Sequence, residues 1–588
     1  MAVTQRGGHS PFSDPRLIIL LALVAIWGAG ALGVAVATPG QDAAGWPMGV
    51  ATGKVHWSIG ATVVAVLVLA ALVAVIIFLR RLFKDDLKPY RIAAREMGHP
   101  KRLKHITEKA ATATGKKLTP TLAATRAISG VLLGYTMVGN KPVYLDWEST
   151  MLVIAGPRMG KTTAVALPAI VTAPGAVITT SNKPDIYDDT VDFRRTKGAI
   201  WCFDPQNVAG ATNMWWNPLR RVHDMPSALK LTGWLSTGAG NSAEANQQNK
   251  YFQDEGEKLL AVLILAAALG GGDLKHVYDW LKDIQTSVPL DLLVGHGFPD
   301  PAADLRAIQT MDAKQRDGVI GFARQPVGLL THNGFAQYVT PKYRVQFGTD
   351  DSGLVTKNAA PGLHETELTE FIPRNFPDST ETLYALSLEG IGSAAGLVTA
   401  LTGEVLEEAV DVANDHGGRL PIPLLACLDE AANICKLGEL PKQYSHFGSR
   451  GIIPITILQS PAQARNVWGP DGWEALKSSS AIRYYGGNVD DDNYLGELSN
   501  KVGEHDVTYS SRSSSSSGPS YSTNTQREKI LEVSDLAALP KELAVIQSPG
   551  NRPILVKKDF IFKNKELQDE LARAAQVDGQ TERTAQTV

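Results

Sequence analysis

The stretch Val153-Ile154-Ala155-Gly156-Pro157-Arg158-Met159-Gly160-Lys161-Thr162-Thr163 decides the fold of this chain. The apolar run at residues 151–155 predicts a short buried strand, and the apolar residues 164–171 predict a helix after it. A strand, a glycine-containing turn, Lys-Thr and a helix form the context in which a phosphate-binding P-loop occurs. Backbone N–H groups of the turn and of the first helical turn then converge on one point, where an anionic phosphate fits.

This P-loop supplies the first candidate site residues. Lys161 is expected to reach the β- and γ-phosphates of ATP, and the Thr162 hydroxyl to hold Mg²⁺. The usual pattern G-x-x-x-x-G-K-[ST] has its first glycine replaced by Ala155, while the glycine beside the lysine is present. A chance Gly-Lys-Thr in an ordinary turn is the alternative, which the flanking strand and helix disfavour. The predicted nucleotide-binding residues are Ala155, Gly156, Pro157, Arg158, Met159, Gly160, Lys161, Thr162 and Thr163.

Composition sets the frame for the rest of the chain. Its 588 residues are enough for about three or four domains, and a net charge of −3 gives no global argument for a nucleic-acid partner. The three cysteines, Cys202, Cys427 and Cys435, are too few for a disulfide framework and lack the spacing of metal ligands. Cys427 lies in an apolar run, which predicts a buried, reduced thiol.

Two long apolar runs open the chain. Residues 17–37 and 57–79 contain no charged side chain, and each run is long enough to cross a bilayer as a helix. A cleaved signal peptide and a buried core helix are the alternatives, which the lengths disfavour. The loop between the runs carries only Asp42 and Lys54, whereas Lys and Arg flank their outer ends. The positive-inside rule therefore predicts a multi-pass anchor over residues 1–81 in the cell (inner) membrane, with both termini cytoplasmic.

A basic juxtamembrane segment follows over residues 82–130. Lys and Arg far outnumber Asp and Glu between residues 80 and 126. Contact with anionic lipid headgroups is the favoured interpretation. Contact with nucleic-acid phosphates stays open beside it.

The remaining pattern predicts an α/β fold. Residues 131–146 predict a hairpin, and short apolar strands near residues 176–180, 199–203 and 383–388 alternate with helices, which indicates a parallel sheet. Ligands of such sheets bind beyond the carboxyl ends of the strands, where Lys183 and Asp204 fall unless they are only solvated loop charges.

The character of the chain changes at residue 225. Helical patterns continue to about residue 341, which predicts an all-α insertion that docks a partner or forms a lid. The fold class is therefore α/β, with a P-loop domain over residues 131–224 and 342–563 that is interrupted by the all-α insertion at 225–341. Residues 508–526 are serine-rich and are predicted to form a flexible loop, and residues 564–588 a polar tail that is disordered or docks a partner.

A second apolar strand, Pro423-Leu424-Leu425-Ala426-Cys427-Leu428, ends in Asp429-Glu430 and has the Walker B pattern. Asp429 is expected to bind Mg²⁺ through water, and Glu430 to position and deprotonate the attacking water. Such a pair is often only a helix N-terminal charge, but the P-loop upstream favours the catalytic interpretation.

The strand at residues 452–458 adds two further candidates. Gln459 at its end is predicted to contact the γ-phosphate or the water, with a plain turn glutamine as the alternative. Arg450 lies in a tight loop before the strand. It is either an arginine finger for the nucleotide of a neighbouring subunit, or a surface residue or a contact to the DNA backbone.

Several stretches, in this order, resemble the coupling proteins of type IV secretion, the conjugative DNA-transfer ATPases. After the two apolar runs and the P-loop, the matching stretches are Tyr144-Leu145-Asp146, Trp216-Asn217-Pro218-Leu219, residues 252–265, Leu428-Asp429-Glu430-Ala431, Gly451-Ile452, Gln459-Ser460 and residues 540–553. The resemblance covers roughly residues 15–560. The family's Asp-Pro-Lys-Gly-Glu is replaced by Ser181-Asn182-Lys183-Pro184-Asp185, and Arg158-Met159 stand where small residues are usual.

The resemblance implies that the P-loop domain is a RecA-like motor domain and that the protein is a membrane-anchored, hexameric ATPase with ATP and Mg²⁺ as cofactors. Its implied partners are single-stranded, relaxase-bound DNA, the relaxosome proteins, the subunits of a type IV secretion channel and membrane lipid. Three alternatives remain: a double-stranded DNA translocase of the chromosome-partitioning type, an ATPase that exports protein cargo, and a scaffold without hydrolysis. The paired Walker patterns argue against the scaffold.

Overall fold

The computed structural model describes residues 15–574 except for residues 38, 42, 56, 84–86, 123–124, 239–246, 352–353, 391, 516–517 and 566. Most of the polar tail predicted at 564–588 lies outside the described residues. The chain divides into two units, Met1–Pro89 and Tyr90–Val588.

The first unit is helical. It contains α1 (Pro15–Ala37), α2 (Trp46–Ala51) and α3 (Ile59–Phe83), so both apolar runs form helices at the predicted places. In the described part of the chain, no helix has the length and apolar character that crossing a bilayer requires. The membrane anchor stays a prediction from the sequence.

The second unit alternates strands and helices. Its strands are β1 (Val131–Thr136), β2 (Pro142–Leu145), β3 (Met151–Ala155), β4 (Val177–Ser181), β5 (Ile200–Phe203), β6 (Met214–Trp216), β7 (Arg344–Thr349), β8 (Val355–Ala360), β9 (Thr369–Phe371), β10 (Thr382–Leu386), β11 (Leu424–Leu428), β12 (Ile452–Leu458), β13 (Ile482–Gly487), β14 (Glu504–Ser515), β15 (Gly518–Lys529), β16 (Leu543–Gln547) and β17 (Ile554–Lys557). Its helices are α4 (Lys88–Glu96), α5 (Glu108–Leu118), α6 (Leu167–Thr172), α7 (Asp185–Arg195), α8 (Met225–Gly238), α9 (Gln247–Gly270), α10 (Leu274–Lys282), α11 (Val288–Gly295), α12 (Pro299–Thr310), α13 (Ala313–Arg324), α14 (Asn333–Ala336), α15 (Ala395–Asp415), α16 (Ala431–Ile434), α17 (Leu440–Phe447), α18 (Pro461–Ser479), α19 (Asp492–Val502) and α20 (Val533–Ala537).

A large mixed sheet forms the centre of this unit, which confirms the predicted α/β class. Its strand order is β2-β1-β17-β16-β13-β3-β12-β11-β4-β10-β5. The strands from β13 to β5 in this order are parallel, and β16, β17, β1 and β2 add an antiparallel wing. Strand β12 lies between β3 and β11 and is parallel to both. The carboxyl ends of all three strands therefore lie together at one edge of the sheet.

The apolar composition of the parallel strands explains their place at the centre. Every residue of β3, β4, β10, β11 and β12 is buried, as expected for strands that are covered on both faces. Cys427 is among them, and all three cysteines are free and buried, as predicted for Cys427. Burial raises the pKa of the Cys427 thiol, so it stays protonated and unreactive.

Residues 225–341, the predicted all-α insertion, contain helices α8 to α14, and a β-hairpin packs on them from just beyond the predicted boundary. The hairpin β7–β8 follows the helices, and its Arg344 side chain donates to the Asp273 carboxylate over 2.6 and 3.0 Å. His276 Nε2 lies 2.9 Å from the Val345 carbonyl oxygen, and the ring of Phe347 packs on that of His276. The insertion therefore includes a β-hairpin that the sequence analysis assigned to the motor domain from residue 342.

The prediction of a flexible loop at residues 508–526 was wrong about secondary structure. Strands β14 and β15 pair in antiparallel register from Glu504–Lys529 to Ser515–Gly518. The serine-rich composition misled because side chains that cannot build a core still allow cross-strand backbone hydrogen bonds.

Glu404 in α15 generates a testable prediction about stability. Its side chain is 2% exposed, and its Oε2 accepts a hydrogen bond of 2.9 Å from Trp216 Nε1. Burial raises the pKa of Glu404 from 4.5 to about 8, so the folded state holds the proton more tightly than the unfolded chain. The free energy of unfolding is then lowered as the pH rises from the unfolded value through the folded one.

Glu404→Gln should raise the free energy of unfolding at pH 8.5, by on the order of 2–4 kcal/mol, and change it little at pH 4.5, because glutamine does not ionise. Urea unfolding at the two pH values measures this difference. Glu439→Gln, at an exposed position, is the matched control. An effect of Glu404→Gln that is equal at both pH values contradicts the assignment.

Candidate nucleotide site

The P-loop makes a tight turn between β3 and the following helix. Arg158 has φ 63° and Gly160 has φ 76°, both in the left-handed region. Gly160 adopts that conformation without steric cost, because it has no Cβ atom. Arg158 adopts it at a steric cost between its Cβ atom and the backbone, and its side chain is exposed. The Met159 side chain is 9% exposed and joins the hydrophobic core, which explains a large residue in a loop that usually has small ones.

The carboxyl end of β13 holds the P-loop from the side. The Gly156 N–H donates to the Gly487 carbonyl over 3.0 Å, and Asn488 Nδ2 donates to the Pro157 carbonyl over 3.2 Å. A Cβ atom at Gly156 would lie 1.7 Å from the Asn488 carbonyl oxygen, so only glycine fits there. The loop is thus fixed by backbone contacts that leave its turn open to a ligand.

Asp429 lies directly after β11, and one of its carboxylate oxygens accepts no hydrogen bond from the described residues. Its side chain is 4% exposed, and among the described residues its Oδ1 has no hydrogen-bond partner. Burial raises the pKa of Asp429 to about 7, while Lys161 lowers it and Glu430 raises it further. A buried carboxylate oxygen without a partner fits a site that is completed by a metal ion.

Glu430 collects contacts from three elements. Lys161 Nζ donates to Glu430 Oε1 as an ion pair, and Gln459 Nε2 lies 2.8 Å from each Glu430 oxygen. Asn433 Nδ2 adds a longer contact of 3.3 Å to Oε2. Glu430 itself has φ 52°, a left-handed conformation that turns the chain sharply after β11. The structure therefore brings Lys161, Glu430 and Gln459 into direct contact.

The predicted magnesium ligands are Thr162 and Asp429. Thr162 lies in the first turn after Lys161, where residues 162–166 form one wide helical turn before α6. In the described part of the chain no three His, Cys, Asp or Glu side chains gather into a metal cage. Magnesium bound with a nucleotide needs only one or two protein oxygens besides phosphate and water, so the donor set fits Mg²⁺.

Arg450 does not join this site. It precedes β12 at its amino end, whereas Gln459 follows β12 at its carboxyl end. Arg450 instead lines a cavity of about 270 Å³ together with Arg221, Lys230 and Glu407. Any role of Arg450 in catalysis must therefore involve a nucleotide held by another chain.

Among the described residues, neither of the two strand-edge candidates makes a side-chain hydrogen bond to Lys161, Asp429 or Glu430. The Asp204 carboxylate accepts hydrogen bonds from the backbone of Val208, Ala209 and Gly210 over 2.7 to 3.1 Å, which is a structural role in its own loop. Lys183 is exposed after the end of β4.

Three residues of the site escaped the sequence analysis. Asn433 lies one short turn after Glu430, Asn488 lies beyond β13, and Lys558 follows β17. Lys558 Nζ donates to the carbonyl oxygen of Met159 in the P-loop over 2.8 Å. No spacing signal connects these positions to the P-loop, because they approach it only through the strand order of the sheet.

A strand, a glycine-containing loop and a helix with a lysine at its start lie beside two carboxylates that follow the next strand but one in the sheet. This arrangement defines a P-loop nucleotide-binding protein. Two family models match the chain. The "Type IV secretory system Conjugative DNA transfer" model matches residues 101–283, and the "TraM recognition site of TraD and TraG" model matches residues 423–541. The two matched regions contain the P-loop and the Asp429-Glu430 pair, respectively. The chain belongs to the coupling proteins of type IV secretion.

The solved structures to which this chain is similar include three structures of the bacterial conjugative coupling protein TrwB. The unbound TrwBdeltaN70 is 15% identical at a TM-score of 0.49 and covers 76% of this chain and 93% of its own. TrwB with an ADPNP analogue of ATP is 15% identical at 0.48, and TrwB with ADP and Mg²⁺ is 16% identical at 0.47; each covers 73% of this chain and 89% of its own. No curated protein matches the chain.

The close approach at Gly156 gives a prediction for the P-loop. Gly156→Ala should lower the free energy of unfolding by about 2–3 kcal/mol, because the added methyl group must displace the Asn488 backbone. A Cβ atom at Gly233 in α8 would have no neighbour within 4 Å, so Gly233→Ala should not lower the free energy of unfolding. Chemical denaturation of the two variants measures the contrast, and equal stabilities would show that the loop and β13 are not in contact.

Proposed function

We propose that this protein is an ATP-hydrolysing motor that couples a DNA–protein substrate to a type IV secretion channel in conjugative DNA transfer. The observation that carries the proposal is the contact of Lys161, Glu430 and Gln459 beside the unpartnered oxygen of Asp429. The two family matches supply the biological setting. The RecA-like character of the motor domain belongs to the same proposal.

The side chains divide the work of hydrolysis. The P-loop amides bind phosphate oxygens, and Lys161 adds a positive charge to them. The Thr162 hydroxyl and the Asp429 oxygen without a partner would hold Mg²⁺, directly or through water. The ion, when bound, would supply positive charge against the phosphate oxygens. Glu430 accepts the proton of the attacking water, and Gln459 orients the glutamate and that water.

The ion pair between Lys161 and Glu430 sets the order of events. While Lys161 donates to Glu430, the lysine is withheld from phosphate and one carboxylate oxygen is withheld from water. A phosphate anion competes for Lys161, and transfer of the lysine to it frees that oxygen to accept a proton. Nucleotide binding thereby activates the general base.

The resemblance to the coupling-protein family leads us to propose a homo-hexamer, in which Arg450 has a role between subunits. Because it lies at the opposite end of β12 from Gln459, it cannot serve the nucleotide of its own chain. We assign it to the neighbouring subunit's nucleotide, as an arginine finger. A ring of subunits then completes every site.

The proposed surroundings follow from the family and the sequence. The partners are relaxase-bound, single-stranded DNA, relaxosome proteins and the channel subunits. The apolar runs at residues 17–37 and 57–79 support an anchor in the inner membrane. Six exposed basic residues on and before α5 support contact with anionic lipid: Lys101, Arg102, Lys104, Lys109, Lys116 and Lys117.

Substitutions at the paired carboxylate and lysine test hydrolysis. Glu430→Gln should still bind ATP but hydrolyse it at least about 100-fold more slowly, because the amide cannot accept the proton. Lys161→Ala should lose both binding and turnover. Phosphate release and fluorescent-nucleotide binding measure the two steps, with the exposed Glu439→Gln as a matched control. Normal turnover by Glu430→Gln would assign the base to another carboxylate.

The nature of the cargo needs a separate experiment. ATP hydrolysis by the full-length protein should rise severalfold with single-stranded DNA, because a DNA motor couples strand binding to its catalytic cycle. Double-stranded DNA and an unfolded polypeptide are the comparison ligands. A larger response to the duplex would favour a double-stranded DNA translocase, and a response to polypeptide alone would favour a protein exporter.

A further inference from the structure

Lys558 is a buried cation beneath the P-loop that the hydrolysis scheme does not use. Its side chain is 7% exposed. Its Nζ donates to the Met159 carbonyl over 2.8 Å and to the Gly486 carbonyl over 2.9 Å. One acceptor belongs to the P-loop and the other to β13, so the ammonium group joins the two backbones.

The geometry of a phosphate loop explains why such a donor is useful. When consecutive N–H groups turn inward to a phosphate, carbonyl groups of the same loop turn outward and need donors of their own. Lys558 serves the outward carbonyl of Met159, and Asn488 serves that of Pro157. The loop is thereby held open before any ligand arrives.

The close packing around Lys558 indicates a built contact. A Cβ atom at Gly486 would lie 2.7 Å from the Ala155 Cβ and 3.5 Å from Lys558 Nζ, so the glycine allows the lysine and the start of the P-loop to meet. Phe560, two residues after Lys558, packs against the other end of the loop: a Cβ atom at Gly160 would lie 2.6 Å from its ring. The segment after β17 thus supports both ends of the loop.

We propose that Lys558 is a positioning residue that holds the P-loop in its phosphate-binding conformation and adds a second buried positive charge for the phosphates. The inference rests on the proposed nucleotide site and deepens it. It assigns part of the affinity for a nucleoside di- or triphosphate to a residue beyond the P-loop itself.

The charge of Lys558 should depend on the ligand. Burial lowers the pKa of Lys558 to about 7, Glu542 raises it and Lys541 lowers it further. The charged and titratable groups on the elements around it are Arg158, Lys161, Arg483, Tyr484, Tyr485, Lys541, Glu542, Lys557 and Asp559. Phosphate charge nearby raises the pKa, so binding takes up a proton above pH 7. Nucleotide affinity is then highest below pH 7 and falls as the pH rises from about 7 to about 9.

The test measures the affinity of the full-length protein for MgADP by isothermal titration. Lys558→Met should weaken binding about tenfold at pH 6.5 and clearly less at pH 9, because the wild-type lysine loses its charge there. Lys557→Met removes the same charge from the exposed neighbour on the same strand and should bind as the wild type does. Lys558→Arg should restore part of the affinity at both pH values.

Several outcomes would overturn the inference. Wild-type affinity in Lys558→Met would do so, and so would a loss of equal size at both pH values, which indicates packing alone. If the variant does not fold, wild-type titrations at pH 8 in two buffers of different ionisation enthalpy decide. A tenfold affinity effect shifts the pKa by about one unit, so an uptake of about 0.4 proton supports the role and no uptake refutes it. Failure of the wild type itself to bind MgADP would refute the nucleotide site instead.

Discussion

The contact between Lys161 and Glu430 is the interaction on which the site depends. The two side chains are only 12% and 4% exposed, and an isolated charge in such surroundings is costly. The pair therefore ties the P-loop after β3 to the sharp turn after β11. Gln459, at the end of β12 between them, lies close to both Glu430 oxygens. Side chains after three neighbouring strands therefore meet at the Glu430 carboxylate.

This arrangement follows from the parallel strands. Their carboxyl ends meet at one edge of the sheet, and their continuous apolar sequences keep them buried on both faces. For the same reason the strands and the principal site residues could be predicted from the sequence: each depends on a short segment whose pattern is local. Asp429 and Glu430 follow β11 directly, and Lys161 follows β3 after the short loop of residues 156–160.

The features that escaped prediction depend on contacts between distant segments. Lys558 and Met159 are separated by 399 positions, and no local pattern marks the lysine as different from Lys557. The hairpin β7–β8 belongs to the insertion because of Arg344 and Phe347, which pack on residues about 70 positions earlier. The serine-rich hairpin β14–β15 misled for another reason, since composition describes side chains whereas pairing is made by the backbone.

The antiparallel wing has a consequence for the biosynthesis of the protein. Strand β1, which opens the large sheet, pairs with β17, which closes it, in the register Tyr135↔Lys557 and Thr136↔Val556. A chain emerging from the ribosome therefore exposes β1 and the loop that follows β3 for several hundred residues of further synthesis. Pairings between distant segments form slowly, because a long loop must close first. The phosphate loop can therefore gain its contacts with Lys558 and Phe560 only after about 400 further residues have been synthesised.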